Sequence, residues 1–127
     1  MFKIGVLNYG IGNIGSVKKL CDKFSDTQEL SKDDSWLGYD LVIFPGVGSF
    51  DKAVNSVNSS NFKSEYKNHI NNGKRLMGIC VGMQVLCNSS EEGIERGLGI
   101  IDADLEKIKA RPDLPVPHMG WDTVFGK

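Results

Sequence analysis

No sign of charge dominates this chain. Fifteen Lys and Arg stand against sixteen Asp and Glu, for a net charge of −1. The missing basic excess speaks against a nucleic acid or an anionic membrane as partner, and the missing acidic run against a disordered binding tail. Cysteine is scarce: Cys21, Cys80 and Cys87 are an odd number without C-x-x-C spacing. That disfavours a disulfide framework and a zinc site alike. Long hydrophobic runs are missing too, since nothing approaches the roughly eighteen apolar residues of a membrane helix. The opening Met1-Phe2-Lys3-Ile4-Gly5-Val6-Leu7 carries one lysine and too short an apolar run for a signal peptide. The expectation is a reduced, cytoplasmic, globular protein.

What is present alternates. Lys3 to Leu7 is an apolar run without helical period, ended by Asn8-Tyr9-Gly10, and reads as a buried strand. Asn13 to Phe24 follows with a helical stripe of Ile14, Val17, Leu20, Cys21 and Phe24. Thr27 to Leu30 and Leu41 to Phe44 read as strands, the second closed by Pro45-Gly46. Phe50 to Val57 and Ser60 to Asn72 read as helices, Leu76 to Ile79 as a strand and Val81 to Cys87 as a helix. Beyond the polar stretch at 89–93, Leu98 to Ile101 and Leu105 to Ile108 are expected as strands. Strands alternating with helices predict an α/β fold, a mainly parallel sheet with helices on both faces, and residues 1–127 as part of one domain.

The run Met77-Gly78-Ile79-Cys80-Val81-Gly82-Met83-Gln84 carries the strongest chemical signal. A strand runs into a cysteine bracketed by glycines and then into a helix. Such a turn lifts one side chain above the sheet, and glycines two residues away on either side remove what would block it. A thiol at a helix start lies in a field that favours the thiolate. Cys80 is therefore a candidate nucleophile, whereas Cys21 and Cys87 fall on apolar helix stripes and read as core. Pro45-Gly46-Val47-Gly48 closes the preceding strand, where backbone N–H groups can be aimed at developing negative charge. By itself this is equally an ordinary turn capped by Ser49; beside Cys80 at neighbouring strand ends it gains a functional reading.

Other candidates are weaker. Gly10-Ile11-Gly12-Asn13-Ile14-Gly15 matches G-x-G-x-x-G between a strand and a helix, but Glu29 does not end a convincing second strand, so a glycine-rich turn is favoured over a dinucleotide site. His69, beside Lys67 and Asn68, reads as solvated. His118 lies in a proline-rich stretch, and nothing in its spacing orients it toward Cys80. Trp121 is either packed on the core or offered to a partner.

Gly78-Ile79-Cys80-Val81-Gly82-Met83-Gln84 with Pro45-Gly46-Val47-Gly48 resembles the class I (triad) glutamine amidotransferases. Asn8-Tyr9-Gly10-Ile11-Gly12-Asn13, Gly97-Leu98-Gly99-Ile100-Ile101 and Pro117-His118-Met119-Gly120-Trp121 narrow the resemblance to the glutaminase subunits of imidazole glycerol phosphate synthases. The resemblance implies that Cys80 attacks glutamine to form a glutamyl thioester, with the N–H groups of Val47 and Val81 as oxyanion donors. It implies that Gly48, Gln84 and Glu92 hold the glutamine, and that Asn13 and Trp121 lie near a partner. That partner would be a (β/α)8-barrel cyclase that consumes the ammonia in histidine biosynthesis. No cofactor or metal is implied. A related amidotransferase that feeds a synthase of surface-polysaccharide sugars, or a non-catalytic docking remnant, is the alternative.

The chain also departs from the resemblance. The family's base is a histidine oriented by a glutamate in a Phe-x-His-Pro-Glu type motif, and no such motif occurs here. The expectation is an N-terminal portion of the domain, inactive by itself because positioned acid–base groups typically contribute ~10²–10⁴-fold.

Overall fold

The computed structural model describes residues Met1–Lys127. Its elements are β1 (Lys3–Asn8), α1 (Ile14–Cys21), β2 (Asp26–Ser31), β3 (Leu41–Gly46), α2 (Phe50–Asn58), α3 (Phe62–Asn71), β4 (Arg75–Cys80), α4 (Val81–Val85), β5 (Ser89–Ser90) and β6 (Asp104–Leu105). The first four strands form one parallel sheet in the order β2-β1-β3-β4. The short β5 and β6 pair in parallel as a separate ribbon. No helix is long and apolar enough to cross a membrane.

Helices cover both faces, as the alternation predicted. On one face Leu7, Val42 and Phe44 of the strands meet Phe50, Val54, Phe62, Val81 and Val85 of α2, α3 and α4. Trp36 completes this core, its ring edge-on to Phe62 at 5.1 Å. On the other face Ile4, Val6 and Ile43 meet Cys21, with Ile14 and Val17 of α1 alongside. Strands buried on both faces read as continuous apolar runs, which is why Ile4 to Leu7 and Leu41 to Phe44 were legible.

Several expectations fail in detail. Helix α1 ends at Cys21, where the Asp22 N–H returns to Lys18 O at 2.8 Å, so Phe24 falls beyond it and is exposed. Leu98 to Ile101 is not a strand. Its N–H groups satisfy the end of α4 instead, Leu98 N donating to Val85 O and Ile101 N to Leu86 O, both at 2.8 Å. A helix end leaves such carbonyls without internal partners, and this segment supplies them. Of Leu105 to Ile108, only Leu105 pairs, with Ser90. His69 is buried rather than solvated. Its Nε2–H donates to Arg75 O at 2.9 Å, and its ring stands edge-on to Trp36 at 5.6 Å. Burial holds its pKa below the ordinary 6.5, opposed by the bond to Arg75.

Candidate functional site

The parallel strands all point their carboxyl ends to one pole. The order β2-β1-β3-β4 reverses direction between β1 and β3, the position where open α/β sheets form a crevice. Pairing of β1 with β3 stops at Val6↔Ile43, and beyond it the strands part. The Gly10–Asn13 turn fills that gap. Gly12 has φ +101°, which disfavours a side chain, and a Cβ there would make a tight 3.1 Å approach to the Gly46 backbone. Glu29 lies within β2 and accepts a hydrogen bond from Asn8 Nδ2 at 2.5 Å. Both features fit a structural turn and leave nothing that favours a dinucleotide.

Cys80 stands at this pole. It is the last residue of β4, in register with Gly46 at the end of β3. Val47 and Val81 therefore follow paired residues on adjacent strands. Cys80 has φ 55° and ψ −123°, and is the one non-glycine residue with positive φ. A side chain in that conformation costs on the order of 1–3 kcal/mol, a strain that clusters at functional sites. Its thiol is free and exposed, while Cys21 and Cys87 are free and buried as expected.

The flanking glycines have a specific cause. Helix α4 turns back immediately over the sheet. A Cβ on Gly82 would overlap the carbonyl oxygen of Phe44, and one on Gly78 would sit 2.6 Å from Met83 Cα. Backbone meets backbone at both points, so the sharp turn exists only because neither residue has a side chain. Helix α4 runs five residues, so the dipole behind Cys80 is a short one.

The other expected residues are distributed as follows. Val47 is exposed, and Gly48 follows it with φ +105°. Val81 is buried. Gln84 lies one turn into α4, half-buried, with its Oε1 buried and without a partner. Glu92 is exposed in the 90–95 loop, which is hydrogen-bonded to the first turn of α2. Asn13 caps α1 by accepting from Ser16 N at 3.2 Å, a structural task. Trp121 is fully exposed, in a stretch without helix or strand.

Neither histidine is hydrogen-bonded to the thiol. His69 binds the first residue of β4 and Cys80 is the last, so the strand separates them by about 16 Å. His118 is exposed, 3.9 Å from Asp122. Asp51 was missed by sequence reasoning. Its carboxylate accepts from the N–H groups of Ile94 and Glu95, partners more than forty positions away that no local pattern announces.

The comparisons bear on this geometry. Residues 5–113 match the family model of the CobB/CobQ-like glutamine amidotransferase domain. A protein of Prochlorococcus marinus subsp. pastoris described as imidazole glycerol phosphate synthase subunit HisH is 41% identical over 122 residues, covering 95% of this chain and 60% of the relative. The protein of the same description from Trichodesmium erythraeum is 42% identical over 125 residues, covering 98% and 58%. This chain thus spans about three fifths of the length of those relatives. Among solved structures, one described as a glutamine amidotransferase superposes with a TM-score of 0.65 at 22% identity, over 81% of this chain and 55% of the other. PurLQS from Thermotoga maritima gives 0.56 at 21% identity, over 67% and 42%. These two likenesses are of fold. The family match runs from within β1 to beyond β6 and encloses the whole strained turn at Cys80, and on that ground the chain belongs to the CobB/CobQ-like glutamine amidotransferase family.

Proposed function

We propose that this chain carries the nucleophile and the glutamine-holding part of an amidotransferase subunit. The observation that carries the reading is Cys80, an exposed thiol in a strained turn beside the Val47–Gly48 loop. In this reading the Cys80 thiolate attacks the side-chain amide carbon of glutamine. The oxyanion that forms takes hydrogen bonds from the N–H groups of Val47 and Val81. The nitrogen leaves as ammonia once protonated, and water opens the thioester to release glutamate. Gly48 and Gln84 line the substrate, and the Glu92 carboxylate pairs with its α-ammonium. The buried, unpartnered Oε1 of Gln84 supports this role, since it is an acceptor in want of a donor.

The base must come from elsewhere. His69 is committed to Arg75 at the far end of β4, and His118 is exposed, 3.9 Å from Asp122. A histidine and its orienting carboxylate would be contributed by polypeptide beyond these residues, and residues 1–127 would form the N-terminal portion of one domain. The relatives described as imidazole glycerol phosphate synthase subunits support the finer assignment: ammonia passed to a (β/α)8-barrel cyclase in a heterodimer, for histidine biosynthesis in the cytoplasm. Asn13, at the Cys80 pole, and the exposed Trp121 would face that partner.

A glutamine analogue carrying a diazoketone, 6-diazo-5-oxonorleucine, tests the reading. The expected result is saturable labelling of Cys80, read by peptide mass, slowed by glutamine and abolished by Cys80→Ala. Alkylation of Cys80 by iodoacetamide without labelling by the analogue would sink the glutamine assignment and leave a docking role.

A further inference from the structure

We propose that Asp51 is a positioning residue that sets the loop bearing Glu92 against the Cys80 pole, an assignment that rests on the glutamine reading above. Asp51 lies in the first turn of α2. Acidic residues there commonly serve their own helix. Here that task falls to Ser49, whose Oγ accepts from Lys52 N at 3.4 Å and whose carbonyl accepts from Ala53 N at 3.1 Å. The Asp51 carboxylate reaches across to another segment instead. Its Oδ1 accepts from Ile94 N at 3.0 Å and Glu95 N at 2.9 Å, and Oδ2 from Ile94 N at 3.2 Å.

The loop is shaped to this carboxylate. A Cβ on Gly93 would overlap Asp51 Oδ1 and lie 2.9 Å from Phe50 Cδ1. On its other side the loop is fixed to the β6 segment: Glu91 N donates to Leu105 O at 2.9 Å, and Lys107 N donates to the Glu91 carboxylate at 2.7 Å. Glu92 lies between the two anchors. Its N–H donates to Ser90 Oγ at 3.1 Å, while its carboxylate forms no salt bridge within the chain. Helix α2 begins directly after Val47, Gly48 and Ser49. One carboxylate thus ties the loop that would hold the α-ammonium to the helix end that carries the oxyanion-type loop. Bonds from amides to a carboxylate are charge-assisted and geometrically strict, which suits a clamp. The signature of the pair is substrate recognition without a change in thiol chemistry.

The test is labelling of Cys80 by 6-diazo-5-oxonorleucine across a concentration series. In Asp51→Ala the half-saturating concentration rises about tenfold, the loss of one charge-assisted contact, while the rate at saturation and the rate with iodoacetamide hold within about twofold. Asp51→Asn keeps an oxygen for both amides and restores half-saturation to within about threefold of the unsubstituted chain. Glu92→Gln reproduces the rise, and the double variant Asp51→Ala with Glu92→Gln is no worse than either, because the two act as one unit. An unchanged half-saturation in Asp51→Ala, or additive effects in the double variant, overturns the proposal. Should Asp51→Ala fail to fold, Gly93→Ala, which displaces the same carboxylate, takes its place with the same expectations. If the unsubstituted chain is labelled by iodoacetamide only, the glutamine reading falls, and this proposal with it.

Discussion

Cys80 occupies a backbone conformation that suits glycine, at φ 55° and ψ −123°. Its strain was not visible in the sequence, but its cause was: the flanking Gly78 and Gly82 announced a turn too tight for side chains. Replacing Cys80 by glycine removes the nucleophile and relieves the strain. Cys80→Gly is expected to raise the unfolding free energy by about 1 kcal/mol in urea titration, with all labelling lost. An unchanged or lower stability would show that the turn is not strained. His69 gives the opposite lesson. Polar neighbours in sequence suggested solvation, yet the helix turns the ring inward onto Trp36 and Arg75. Burial depresses its pKa in the fold. In the unfolded chain it takes up a proton near the ordinary 6.5. Below that value the unfolded state binds more protons, so stability falls with pH until the folded value is passed. The contribution is complete above 6.5 and lost beneath it. The melting temperature, compared on either side of pH 6.5, should show this fall, and His69→Gln should remove it. The carboxyls of Asp40, held below 3.8 by its bond from Lys74, and of Asp34, by its bond from Ser31 N, act only in more acid solution.

Strand β4 and helix α4 form a unit whose register is set by backbone contact. Because Gly82 approaches the Phe44 carbonyl so closely, one methyl group forces α4 off the sheet. Gly82→Ala is expected to cost about 3 kcal/mol of stability, the upper range for overpacking, and to slow labelling of Cys80. A variant with unchanged urea midpoint would mean that α4 does not need this approach. Sequence reading found β1, β3 and α2, whose apolar pattern reports burial directly, and also β2, α3 and β4, which are only partly buried. Phe50, Ala53, Val54 and Val57 bury one face of α2 as their spacing required. The stretch at 98–101 was misread because apolar alternation cannot tell a strand from a segment whose N–H groups close the end of α4. The α1 stripe was read too far because Phe24 is apolar, although the chain has already turned at Asp22.

For the molecule as a whole, the sheet is better covered on one side of β4 than on the other. β4 is an edge strand, and Met77, on the α1 face, is half exposed. An open edge beside an apolar face invites association. The chain by itself is expected to aggregate with rising concentration, and Met77→Lys to reduce this in sedimentation velocity, because an edge lysine opposes further pairing. Equal aggregation in both would exonerate this edge. The sequence by itself determined the α/β class, the parallel sheet and the turn at Cys80, because buried runs, helical stripes and paired glycines are written locally. Only the tertiary structure decided that Cys80 pairs in register with Gly46, that His69 is spent at the opposite end of β4, and that Asp51 grips the loop of Glu92. Those relations rest on contacts between elements, Cys80 beside Gly46, His69 against Trp36 and Asp51 on Ile94 and Glu95, and the packing of α2, α3 and α4 on one sheet brings them together.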